Sequence, residues 1–207
     1  MATLTRASGQ FLDRHARVCW HGVWFPRVRL LLTVILLAVV AGAVAIWTGV
    51  YDVAASTPHS EAVAQLFGTV RDRSIAVRAR KVGPPPRTTP DSIRDGYEEY
   101  SEMCVVCHGA PGEERSAISK GLNPPAPDLD DADLQAEYSD AELFWTVKHG
   151  IRMTGMPAFG DTHDDDTIWA IVAFVRRLPQ LGAKGYAAME SDESAAHEHH
   201  GEHEHSH

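Results

Sequence analysis

The stretch EMCVVCHGAPG, residues 102–112, holds two of the chain's three cysteines and sets a histidine directly after the second. Cys104, Cys107 and His108 thus crowd into five positions. A bridged or redox-active C-x-x-C pair wants a strand before it and a βαβ setting, and neither is visible around this stretch. A zinc site needs two further ligands at suitable spacing, and between residues 91 and 183 only His149 and His163 are left to supply them.

C-x-x-C-H is the attachment pattern of a c-type haem. Two cysteines three apart at the end of a helix reach neighbouring pyrrole edges, and the next residue then points at the iron as an axial ligand. A second axial ligand is a thioether in many electron-transfer sites, where it favours iron(II) and raises the potential. Met156, 48 residues after His108, lies in MTGMPAFG, where Gly155, Pro157 and Gly160 let the chain fold over the far haem face. Met153 competes with it; Met103 stands on the cysteine side and cannot easily cross the ring.

Outward from this core, residues 91–183 read as a compact helical unit with few strand signals. Asp91 is a candidate cap for SIRDGYEEYSEMC. Ser139 with Glu142 forms the S-x-x-E signature opening SDAELFWTVKHG, and three aspartates open DDDTIWAIVAFVRRL ahead of Pro179. Gly- and Pro-rich loops lie between. The unit carries 18 Asp and Glu against 7 Lys and Arg, within a chain of net charge −9, which leaves no basic surface for nucleic acid.

Residues 30–50 contain no charged side chain, and 21 residues at helical rise span roughly 31 Å, the thickness of a bilayer core. A cleaved signal peptide is the competing reading, but the long charged region before the apolar run and the length of the run favour an anchor over residues 30–51. Trp20, Trp24 and Phe25 on one side and Trp47 and Tyr51 on the other fit interfacial aromatic belts. Arg6, Arg14, Arg17, Arg27 and Arg29 precede it, and no Lys or Arg follows until Arg71. By the positive-inside rule residues 1–29 are cytoplasmic and the C-x-x-C-H unit lies outside, in the periplasm of a bacterium, tethered to the inner membrane.

Residues 60–82 have Val63, Leu66, Phe67 and Val70 at helical spacing, with Ser60 as a candidate cap. They predict an amphipathic helix whose basic run faces anionic lipid, a partner subunit or solvent. GPPPRTTPD then predicts a stiff linker, so that residues 52–90 separate anchor from haem unit. Residues 184–207, rich in His and Glu, predict a disordered tail. Its His197, His199, His200, His203, His205 and His207 are candidate ligands for a divalent metal, against the simpler reading of a solubilising tail.

Residues 91–182 resemble a class I cytochrome c domain. Gly96, Tyr100 and Cys104 repeat that family's spacing, in which a glycine and an aromatic of the first helix pack on the last; Ile171 and Phe174 match on that last helix. The resemblance implies that the Pro127 carbonyl accepts the proton of the proximal His108, with Pro124 and Pro125 as alternatives, and it makes Trp145, Lys148 and Arg152 candidates for haem propionate contacts. It implies an all-α fold, helices around one covalent haem c, preceded here by one transmembrane helix and an amphipathic helix. With both axial positions filled no site is left for a substrate, so the expectation is electron transfer between respiratory-chain or dehydrogenase partners with a basic docking face, not catalysis. A haem-based sensor with a displaceable sixth ligand is the alternative.

Overall fold

The computed structural model describes residues 12–201, and side chains for residues 25–192. Every regular element among them is helical. The chain divides into two units, Met1–Val53 and Ala54–His207.

The first unit is dominated by α1, Leu12–Thr48. Within it Phe25–Thr48 has mean hydropathy 2.8 and is long and apolar enough to cross a membrane. Leucines, valines and isoleucines from Leu30 to Ile46 stand exposed around it, as expected where lipid is the solvent.

The second unit opens with α2, Glu61–Ala79. Ser60 occupies its N-cap position without a side-chain cap bond. α3, Pro90–Glu99, is capped by Thr89 and not by Asp91 as its sequence suggests. The Thr89 hydroxyl accepts from Ser92 N at 3.1 Å, Ser92 Oγ accepts from Thr89 N at 2.9 Å, and Pro90, which lacks an N–H, fills the first helical position. The helix continues through a π-helical turn, Tyr100–Cys104, into α4, Val105–His108, and ends at Gly109 with φ 80°. Two short helices follow: α5, Ala117–Lys120, and α6, Ala132–Glu137. α7, Asp140–His149, opens on the Ser139–Glu142 capping box expected from the sequence. After a 3-10 turn at Phe159–Asp161 comes α8, Asp165–Val175, capped by Asp164. α9, Leu178–Gly201, is broken at Gly182, where φ is 55°.

The centre of the unit is the crossing of α3 and α8. A Cβ on Gly96 would fall 2.0 Å from the Ala170 carbonyl oxygen, so a residue without a side chain is what lets the two backbones touch. Tyr97 and Tyr100 pack tilted or edge-on against Phe174 with ring centroids 5.5 and 5.3 Å away, and Ile168, Ile171 and Phe174 are fully buried.

Two boundaries differ from the sequence reading. α2 belongs to the same compact unit as the C-x-x-C-H helix: Ile75 and Ala79 are buried on its α7 side, and the proline stretch after it is a connection within that unit. The expected disorder from residue 184 is replaced by helix. Tyr186, 5% exposed, packs edge-on to Tyr97 at 5.4 Å, and Met189 joins the same cluster, so hydrophobic burial holds this segment. The tail histidines from His197 onward fall outside the residues whose side chains are described.

Candidate haem site

Cys104 ends the π-helical turn, and Cys107 and His108 follow on α4. The wider turn lets Val105 N donate to Tyr100 O, five residues back, and such turns inside helices recur at functional sites. Both thiols are free and half-buried. Burial, with the Glu99 carboxylate next and Cys107 after it, pushes the Cys104 thiol up to about 12. It is a neutral thiol at physiological pH, not a thiolate poised for a metal.

His108 is held from one side. Its Nδ1 lies 2.9 Å from the Pro127 carbonyl oxygen. A carbonyl only accepts, so Nδ1 carries the proton and Nε2 keeps a lone pair free for a metal. Burial keeps the imidazole below its usual range, against the opposing pull of the Pro127 bond, so it is neutral near pH 7. The backbone after it is fixed as well: the Tyr100 hydroxyl donates to Gly109 O at 2.7 Å, and burial pushes that phenol up.

A residue that the sequence reading missed organises the loop carrying Pro127. Arg115 Nη1 donates to Ala126 O at 2.8 Å, to Ser119 Oγ at 3.0 Å and to Cys107 O at 3.4 Å, and its Nη2 pairs with the Asp128 carboxylate. Ser119 Oγ donates to Cys107 O at 2.6 Å. One guanidinium therefore ties the attachment helix to both neighbours of Pro127. Nothing local marks Arg115, because its partners lie up to 13 residues away.

The methionine loop starts at Gly150, φ 62°, where a Cβ would sit 2.5 Å from Pro157 O and 2.7 Å from Met156 O. Ile151 N donates to Met156 O at 3.2 Å, and the Thr154 hydroxyl accepts from Met156 N at 3.2 Å, so the loop closes on itself. Met156 is half-buried, whereas Met153 is 87% exposed. A Cβ on Gly155 would fall 2.6 Å from Leu122 Cδ2, which brings this loop against the one that carries Pro127.

Arg152 is exposed on the same loop. Trp145 lines a groove of about 490 Å³ with Arg78 and Lys81 near α2 and with Lys148, His149 and Trp169; Cys104, Cys107 and His108 are not in that lining. Lys148 Nζ donates to Asp165 at 2.5 Å and lies 5.6 Å from the Phe144 ring centroid.

The donor set fits haem c: two free thiols three residues apart, and an imidazole whose Nδ1 is committed to a carbonyl. Residues 91–175 match the family model described as cytochrome C oxidase, cbb3-type, subunit III. Among solved structures the chain is similar to one from the Kuenenia stuttgartiensis reducing HAO-like protein complex Kustc0457/Kustc0458, at 25% identity and TM-score 0.42, over 46% of this chain and 47% of that one. It is also similar to the KustC0563 c-type cytochrome, at 27% identity and TM-score 0.36, over 41% of this chain and 96% of that one. The chain thus spans about half the length of the first. Residues 91–175 are a class I c-type cytochrome domain, a covalent haem c module for electron transfer.

Proposed function

We propose that this chain is a membrane-anchored, single-haem electron carrier that exchanges electrons with respiratory-chain or dehydrogenase partners outside the cytoplasm. When bound, haem c supplies one-electron exchange between its ferric and ferrous states. In this reading Cys104 and Cys107 would hold it by thioether bonds, and His108 Nε2 and the Met156 sulfur would be its iron ligands. Pro127 fixes the imidazole, while Arg152 and Trp145 serve the propionates.

The observation that carries the reading is the pairing of the His108–Pro127 bond with a half-buried Met156 on a closed loop. With both residues as ligands no open coordination site would be left, and the protein's work would be to position the haem edge and exclude water. The anchor keeps the carrier at the membrane and raises its effective concentration there. The excess of 18 acidic over 7 basic side chains across residues 91–183 favours a partner with a basic docking face. The family description, an oxidase subunit, puts a haem-copper oxidase among the candidate partners and makes subunit membership the version to examine first.

Carbon monoxide tests it. The reduced protein should show no prompt binding; rapid binding would mean an open or displaceable sixth position and would move the assignment to a ligand-binding haem module. Purification from native membranes then separates the two forms of carrier, since a subunit emerges with stoichiometric oxidase or dehydrogenase chains and a free carrier does not.

A further inference from the structure

α2 has two apolar faces and only one is covered. Ile75 and Ala79, each 4% exposed, lie on the α7 side, where the Tyr138 hydroxyl also donates to Asp72 at 3.3 Å. On the other side Leu66, Phe67, Val70 and Val77 are 62, 56, 56 and 54% exposed. At about 100° per residue, Leu66, Val70 and Val77 fall within roughly 40° of one another and directly opposite the covered face, with Val63 and Phe67 widening the stripe. A soluble domain has no reason to hold such a stripe in water along a whole helix.

The charges around the stripe indicate what covers it. Arg73 and Arg80 border it on one side; Arg78, on the other, donates to Ser74 Oγ at 2.8 Å and with Lys81 also lines the groove beside Trp145. The acidic residues of this segment are Glu61 and Asp72, and Asp72 is engaged by Arg71 at 2.7 Å. The rest of the domain is strongly acidic, so this basic, apolar face is an exception on it. The chain also limits the choice of partner. Twelve residues separate Thr48, the end of α1, from Glu61, the start of α2, and even fully extended they reach at most about 45 Å. With α1 in a bilayer, the linker length holds the start of α2 within about 45 Å of the end of α1.

We propose that the Leu66–Phe67–Val70–Val77 face of α2 lies in the headgroup boundary of an anionic bilayer. Its apolar side chains enter the acyl edge, and Arg73, Arg80 and Lys81 meet lipid phosphates. The acidic haem domain would otherwise be repelled by such a surface; α2 fixes which side of it faces the membrane. The proposal rests on the reading of Phe25–Thr48 as an anchor.

The test uses the full-length holoprotein in nanodiscs, with Cys19→Ser and one spin label at Val70→Cys, Gln65→Cys or Val40→Cys. Relative accessibility to oxygen and to a water-soluble nickel chelate reports the surroundings of each label. In phosphatidylglycerol discs the Val70 label should favour oxygen several-fold, as the Val40 label does within the anchor. The Gln65 label, about 140° round the helix from Val70, should stay water-like. Phosphatidylcholine discs, or Arg73→Glu with Arg80→Glu and Lys81→Glu, should return the Val70 label toward water. A water-like Val70 label in phosphatidylglycerol beside a lipid-like Val40 label overturns the proposal and leaves the anchor standing. A Val70 label shielded from both reagents also overturns it, in favour of a second copy or a partner subunit, and a water-like Val40 label overturns the anchor and the proposal together.

Discussion

The guanidinium of Arg115 donates to the carbonyl of Ala126 at 2.8 Å, one residue before the carbonyl that holds His108. His108 is therefore oriented at one remove, through a loop that a single cation closes. Arg115→Met should cost about 2 kcal/mol of holoprotein stability, since it leaves the Ala126 carbonyl and the Asp128 carboxylate without their charged donor. Arg115→Lys should recover only part of that, because an ammonium cannot serve the same forked set of partners. Thermal melts followed in the haem absorption band check both; equal melts for Arg115→Lys and wild type would show that charge alone suffices.

Gly96 and Gly68 make a paired test of the packing. A Cβ at Gly96 would meet the Ala170 carbonyl carbon and oxygen, which are backbone atoms that can yield only if α3 and α8 separate. Gly96→Ala should destabilise by about 2–3 kcal/mol. A Cβ at Gly68, inside α2, meets nothing within 4 Å, so Gly68→Ala should leave stability unchanged or raise it by up to about 1 kcal/mol. Denaturant midpoints of the two variants compare them directly.

Acid should weaken α8 through its cap. Asp164 accepts from Thr167 N at 2.9 Å and from the Thr167 hydroxyl at 2.8 Å, and these bonds hold its carboxyl below the usual range. A carboxyl depressed in the folded state adds stability that is fully present above its unfolded value, about 3.9, and that fades as pH falls through the lower folded value. Asp164→Asn keeps a capping oxygen but has no proton to take up. The thermal midpoint of this variant should therefore fall less than that of the wild type between pH 5 and pH 2; parallel curves would contradict the assignment.

What the sequence disclosed depended on how local the physics was. The attachment motif, the N-terminal apolar run and the Ser139–Glu142 box are patterns a few residues long, or one long stretch, and each forms helix or cap where expected. Gly96 was legible only through the spacing shared with a known family, and the Ala170 contact supplies its reason. The α3 cap was missed because Thr89 and Ser92 cap reciprocally without the glutamate that usually marks such a box. The extent of the domain was missed for a tertiary reason. The prolines at 84–86 read as a boundary and the segment after Gly182 as a tail, yet Ile75 and Tyr186, on either side, are both buried. Neither burial can be seen without knowing which helix lies opposite.

In the proposed function Met156 would complete the iron coordination together with His108. The most direct measurement is the near-infrared charge-transfer band of iron–methionine ligation in the oxidised, membrane-extracted protein, compared between wild type, Met156→Ala and Met153→Ala. The band should be present in wild type and in Met153→Ala and lost in Met156→Ala. Its absence from the wild type, or its survival in Met156→Ala, would rule out Met156 as the ligand.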